Sequence, residues 1–176
     1  MQIMRMNYDD LTNGGGEAKL HVYGVGTFPV FSGKNPYTND PDCTFRVNSA
    51  IPVGRYWIVD RPEGSFVNRI RGSAIDWWHN TNHQDWFGLF SASTMSDSVF
   101  INGASRGGFR LHPLRPDGSG VSEGCITFVR NTDFYTVRNS LLRQKKMKVS
   151  GSRIGLMAYG YVDVQGESNF ANCKIR

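Results

Sequence analysis

Phe109-Arg110-Leu111-His112 and, beyond residues 113–121, Ser122-Glu123-Gly124-Cys125-Ile126-Thr127-Phe128 contain two short runs in which apolar and polar side chains alternate. Alternation with a period of two marks a half-buried strand. In the first run Phe109 and Leu111 share one face, and Arg110 and His112 the other; in the second, Ile126 and Phe128 oppose Cys125 and Thr127. Between the runs, Pro113, Pro116, Gly118 and Gly120 turn the chain back. With both apolar pairs in the core, His112 and Cys125 point away from it and line one cleft, with Arg110 and Thr127 beside them.

Outward from this pair the pattern stays β-rich. Met4 to Tyr8 and Lys19 to Tyr23 flank Thr12-Asn13-Gly14-Gly15-Gly16 and read as an opening hairpin. Gly24 to Asp42 is a loop-dominated excursion with a short strand around Phe28 to Phe31. Ile51-Pro52-Val53-Gly54 leads into Arg55 to Asp60, apolar on both faces and therefore central. Phe87 to Ser91 and Ser98 to Asn102 read as a further pair of strands, and Gly155 to Val164 as the last one. One helix is expected, Thr132 to Gln144, with Thr132 as its N-cap and Phe134, Val137, Leu141 and Leu142 as its apolar stripe. Arg143, Lys145, Lys146 and Lys148 complement its C-terminal dipole. The expectation is a mainly β, single-domain sandwich or barrel over residues 1–176 with one or two short helices.

The chain of 176 residues is long enough for a core, and with 12% aromatic and 20% charged residues it is not of disordered composition. A net charge of +5 permits an anionic partner without indicating nucleic acid. Met1 to Asp10 carries no apolar run suited to an export leader, and no stretch of about 18 apolar residues suits a membrane span. The cysteines are Cys43, Cys125 and Cys173. In an oxidising compartment Cys43 and Cys173 can pair and leave Cys125 reduced; in a reducing one all three stay thiols.

A histidine and a cysteine on one face suggest acyl transfer. A thiolate attacks an acyl carbon, and a neighbouring imidazolium can lower a thiol pKa from about 8.5 to about 3.5–7.5. His112 then serves as general base and later protonates the leaving amine. Gly124 suggests close backbone approach or an unusual dihedral angle, and backbone amides in such a turn can face an oxyanion. Arg110 and Thr127 are the candidate substrate-binding residues, Arg110 as a ligand for a substrate carboxylate.

His112 with Ser122-Glu123-Gly124-Cys125 resembles the L,D-transpeptidase catalytic domain, in which a histidine precedes Ser/Thr-His-Gly-Cys. The Pro-x-Gly turn and strand of that family appear as Ile51-Pro52-Val53-Gly54-Arg55-Tyr56-Trp57-Ile58. The chain is most similar to the L,D-transpeptidase-like effectors of type VI secretion, through Phe28-Pro29-Val30-Phe31-Ser32-Gly33 and Asp40-Pro41-Asp42-Cys43 as well. The resemblance implies Cys125 as nucleophile, His112 as base, and Ser122, Glu123 and Gly124 as motif support, with no cofactor. It implies L,D-carboxypeptidase cleavage of peptidoglycan stem tetrapeptides to tripeptides, and L,D-transpeptidase exchange of D-Ala for another D-amino acid. It further implies an antibacterial toxin made without a cleavable leader, loaded on a secretion-apparatus carrier, acting in the target periplasm and matched by an immunity protein. Glu123 replaces the family's second histidine, and a carboxylate there raises a thiol pKa. Thr127 replaces an arginine that Arg110, Arg115 or Arg130 can substitute. The rival readings are a cysteine endopeptidase or amidase cutting another bond, and a non-catalytic wall-binding module.

Asp76-Trp77-Trp78-His79 and His83-Gln84-Asp85-Trp86-Phe87 bear on two further functions. His79 and His83 have the spacing of a helical metal pair, but Asn80, Thr81 and Asn82 are poor helix formers, so no metal is assigned. The aromatic residues fit packing on the sheet, capping of the cleft or stacking on glycan. Arg138 to Arg153 reads as a solvated helix end, and Gly24-x-Gly26 lacks the strand, helix and acidic partner of a dinucleotide site.

Overall fold

The computed structural model describes residues 1–61, 85–114 and 123–174. The opening hairpin is formed by Gln2–Thr12 (β1) and Glu17–Val22 (β2), joined by a tight turn at Asn13–Gly15. Gly26–Ser32 (β3) pairs with β2, and Gly54–Asp60 (β4) pairs with Phe87–Ser91 (β5). Ser98–Ile101 (β6) and Ala104–Gly107 (β7) form a separate hairpin. Arg110–Pro113 (β8) and Ile126–Phe128 (β9) precede the helix Asn131–Arg143 (α1). Met147–Lys148 (β10) pairs with Met157–Ala158 (β11), and Gly160–Gln165 (β12) is the last strand. Eight strands close a barrel in the order β1-β12-β4-β5-β8-β9-β3-β2, with β2 returning to β1. The chain is thus mainly β, with one α-helix among the described residues.

Closure follows from the alternation. Met4, Met6, Leu20, Val30, Ile58, Leu89, Phe109, Leu111, Ile126 and Phe128 are all buried in one cluster. Each such large side chain contributes about 1.5–3 kcal/mol through removal from water. Helix α1 adds Phe134, Val137 and Leu141 to that cluster, with the Phe134 ring 5.6 Å from Phe128. The outward-facing Val59 and Phe90 pack instead with Val149, Leu156 and Ala158, so β4 is covered on both faces as its sequence requires. Gly160 lets β12 approach β1, since a Cβ there would run into the Gln2 carbonyl.

The ends of the chain are tied down. Cys43 and Cys173 form a disulfide, so of the two arrangements the sequence permits, the structure has the paired one. Beside it the rings of Phe45 and Phe170 meet edge-on at 5.7 Å, and the Asn169 amide donates to Asp42 Oδ1 at 2.6 Å.

Several expectations need correction. Phe87 to Ser91 and Ser98 to Asn102 both hold strands, but they do not pair with each other: β5 joins β4 and β8, while β6 joins β7. Asn102-Gly103, both at positive φ, is the turn that folds β6 onto β7. Arg130 and not Thr132 occupies the helix N-cap, and Arg130 Nε donates to Asp133 at 2.8 Å in place of a side-chain cap. Leu142 is 47% exposed because it lies about 100° round the helix from Leu141. The last expected strand is split, since Tyr159 separates β11 from β12.

Candidate active site

Strands β8 and β9 run parallel, with Leu111 opposite Ile126, His112 opposite Thr127 and Pro113 opposite Phe128. Leu111, Ile126 and Phe128 fill the barrel, so alternation turns His112 and Thr127 to its outer side, with Cys125 just before β9. His112 and Cys125 are nevertheless covered, at 2% and 8% exposure. Part of the cover is Trp86, whose ring stacks on the imidazole at 4.3 Å and 18°. The aromatic segment thus sends one tryptophan onto the histidine itself. Asp76, Trp77, Trp78, His79 and His83, with the metal and glycan readings attached to them, lie outside the described residues, as do Arg115 and Ser122. Among the described residues no cluster of three metal-ligating side chains occurs.

The hydrogen bonds fix the histidine tautomer. His112 Nδ1 lies 2.7 Å from the Pro113 carbonyl, which can only accept, so Nδ1 carries the proton. In the neutral ring Nε2 is then the basic nitrogen, and it receives the Thr127 hydroxyl at 3.2 Å. This is the tautomer a general base needs. Thr127, expected as a substrate ligand, is fully buried and orients the ring.

The sulfur is not in the state expected from the imidazole alone. Burial pushes the Cys125 thiol up to about 11, while the Arg110 charge and a hydrogen bond from the Arg110 backbone pull it down. Glu123 and Asp97 add to the rise, so the suspicion attached to Glu123 has the right sign, but burial outweighs it. The thiol is accordingly protonated at rest near neutral pH and lies 3.9 Å from the Gly108 carbonyl.

Arg110 has a partner that the sequence does not reveal. Its guanidinium holds Asp97 through two bonds, Nη1–Oδ1 at 2.9 Å and Nη2–Oδ2 at 3.0 Å, and donates to the Phe109 carbonyl at 2.7 Å. The pair is largely buried, and Asp97 directly precedes β6. In this arrangement Arg110 is engaged by Asp97 and its charge bears on the Cys125 thiol, rather than being presented as an open carboxylate ligand. Gly124 meets both expectations: its φ is +101°, and a Cβ would lie 2.6 Å from Arg106 Nη2 and 2.8 Å from Phe109 Cε1. Arg106, which binds the Glu123 carbonyl at 3.3 Å, carried no sequence signal; a lone arginine in a short strand has no period to betray it.

A family model described as the Tlde1 domain matches residues 26–152. No curated protein matches the chain. Strands β1, β2 and β12 lie outside the matched residues and still complete the barrel. The match spans most of the chain, both candidate catalytic side chains and their supporting turn, and the chain therefore belongs to the Tlde1 domain family of type VI secretion effectors.

Proposed function

We propose that this effector attacks peptidoglycan stem peptides through an acyl-enzyme on Cys125, with L,D-carboxypeptidase and L,D-transpeptidase exchange activity in the periplasm of the target cell. The observation that carries this reading is the placement of the imidazole on β8, opposite Thr127 of the parallel strand β9, a residue two positions in sequence from Cys125, with the ring held through Nδ1 so that Nε2 is its base. As the substrate carbonyl reaches the sulfur, the thiol proton passes to Nε2 and a carbon–sulfur bond forms at the acyl carbon of the third stem residue. The tetrahedral oxyanion collapses, the bond to D-Ala breaks, and the imidazolium returns its proton to the leaving amine. Water or a D-amino acid amine then resolves the thioester, losing a proton to Nε2, so hydrolysis and exchange share one intermediate. Effector-family membership fits an immunity protein that shields the producer and its kin.

Cys125→Ala tests the reading in cells. The variant sent to the periplasm of a susceptible cell is expected to be harmless, and the digested wall of cells exposed to the native protein to lose tetrapeptides and gain tripeptides. Persisting toxicity removes catalysis as the mechanism; cuts in the glycan or at the lactyl amide reassign the bond.

A further inference from the structure

Arg106 stands on β7, outside every motif, yet it is only 7% exposed. Its guanidinium bridges two segments distant in sequence. Nη1 donates to the Thr44 carbonyl and to Ser49 Oγ at 2.5 Å, and Nη2 to the Ser49 carbonyl at 3.1 Å and the Glu123 carbonyl at 3.3 Å. Thr44 follows directly on Cys43, which the disulfide fastens to Cys173, and Ser49 lies six residues after that cysteine. Glu123 begins the turn that carries Cys125. Among the described residues Arg106 forms no ion pair, so carbonyls and one hydroxyl hold a buried cation. Such an arrangement is costly to desolvate, and an apolar side chain would fill the space with less penalty.

We propose that Arg106 is a positioning residue for acyl transfer: it grips the Glu123 carbonyl from the disulfide-fastened segment and so fixes the turn that presents Cys125. The inference rests on the acyl-transfer reading above. Arginine suits the task because its planar fork reaches both segments at once, whereas a lysine ammonium supplies one point of attachment. Gly124 is the counterpart of that grip, since any side chain there would meet Nη2. Burial lowers the Arg106 pKa, and ionisation of Tyr56, Tyr8 or Cys125 would oppose that fall, so the guanidinium also lies within the field of a developing thiolate. A residue that acts only by setting the turn affects the transition state more than substrate binding.

The test is Arg106→Lys, with steady-state kinetics on a stem tetrapeptide, a thermal melt, and hydrogen exchange of the peptide covering residues 123–126. The expected result is a kcat at least tenfold lower with KM within twofold, a cooperative melt, and at least tenfold faster exchange confined to that peptide. A folded variant with kcat within twofold of native, or with unchanged exchange in the turn, overturns the proposal. Should Arg106→Lys fail to fold, Ser49→Ala removes one acceptor of the grip; a threefold or greater loss of kcat supports the proposal and an unchanged kcat rejects it. Exchange needs no substrate, so if the native protein leaves stem peptides uncut, the functional reading fails while the grip on the turn is still measured. In that case unchanged exchange in either folded variant rejects the grip.

Discussion

At the residue scale, the chemistry turns on how a buried thiol becomes a nucleophile. Cys125 is pushed up to about 11 by burial, and His112 holds its proton on Nδ1, so a resting thiolate–imidazolium pair is not the stable state. On the proposed acyl-transfer reading, the proton moves only when a substrate carbonyl is there to accept the sulfur's electrons. Alkylation by iodoacetamide reads this directly. The Cys125 rate is expected to be low at pH 7 and to climb about tenfold per pH unit toward pH 11, because thiolate is the reactive form. A plateau already reached below about pH 7.5 would mean a preformed ion pair. Glu123, the departure from the related motif, makes a smaller contribution than burial, and its backbone carbonyl is held by Arg106.

At the element scale, the parallel β8–β9 pair sets the site and the β6–β7 hairpin is tied to it. The hairpin brings Asp97 to Arg110, whose charge and backbone favour the thiolate. Asp97→Ala leaves a buried guanidinium unpaired and is expected to cost about 3–5 kcal/mol of stability, read as a lower denaturant midpoint. A loss below about 1 kcal/mol would mean that the pair behaves as a surface ion pair. The two strands of the site were legible because Phe109, Leu111, Ile126 and Phe128 alternate with polar partners. The Arg110–Asp97 pair was not, since a bond across thirteen residues leaves no period, and the Asn102-Gly103 turn carried a hairpin signal that reading Ser98 to Asn102 against β5 concealed. Thr127 was placed on the right face, but the register that sets it against His112 comes from strand pairing and not from spacing.

At the scale of the whole molecule, the barrel is closed by strands from both ends of the chain. Strand β12 inserts between β1 and β4, and the disulfide fastens the segment after it to residue 43. The central place of β4 was legible from its two apolar faces, whereas a parallel partnership between β1 and β12 joins residues too far apart for any local pattern to reveal. Residues 26–152 alone lack β1, β2 and β12, leaving β3 and β4 each with an unpaired edge. That fragment is expected to show no cooperative thermal transition by circular dichroism; a sharp transition like that of the full chain would show the terminal strands to be dispensable.

The central claim is that Cys125 carries the acyl group of a stem peptide. It is tested most directly by mixing the purified full-length protein with a disaccharide tetrapeptide, quenching in acid within the first turnover, and weighing the intact protein and its digest by mass spectrometry. The account predicts release of D-Ala, a tripeptide product, and a transient thioester mass on the peptide containing Cys125, with all three abolished in Cys125→Ala. Tripeptide formed at the native rate by Cys125→Ala, or an acyl mass on another residue, would contradict it.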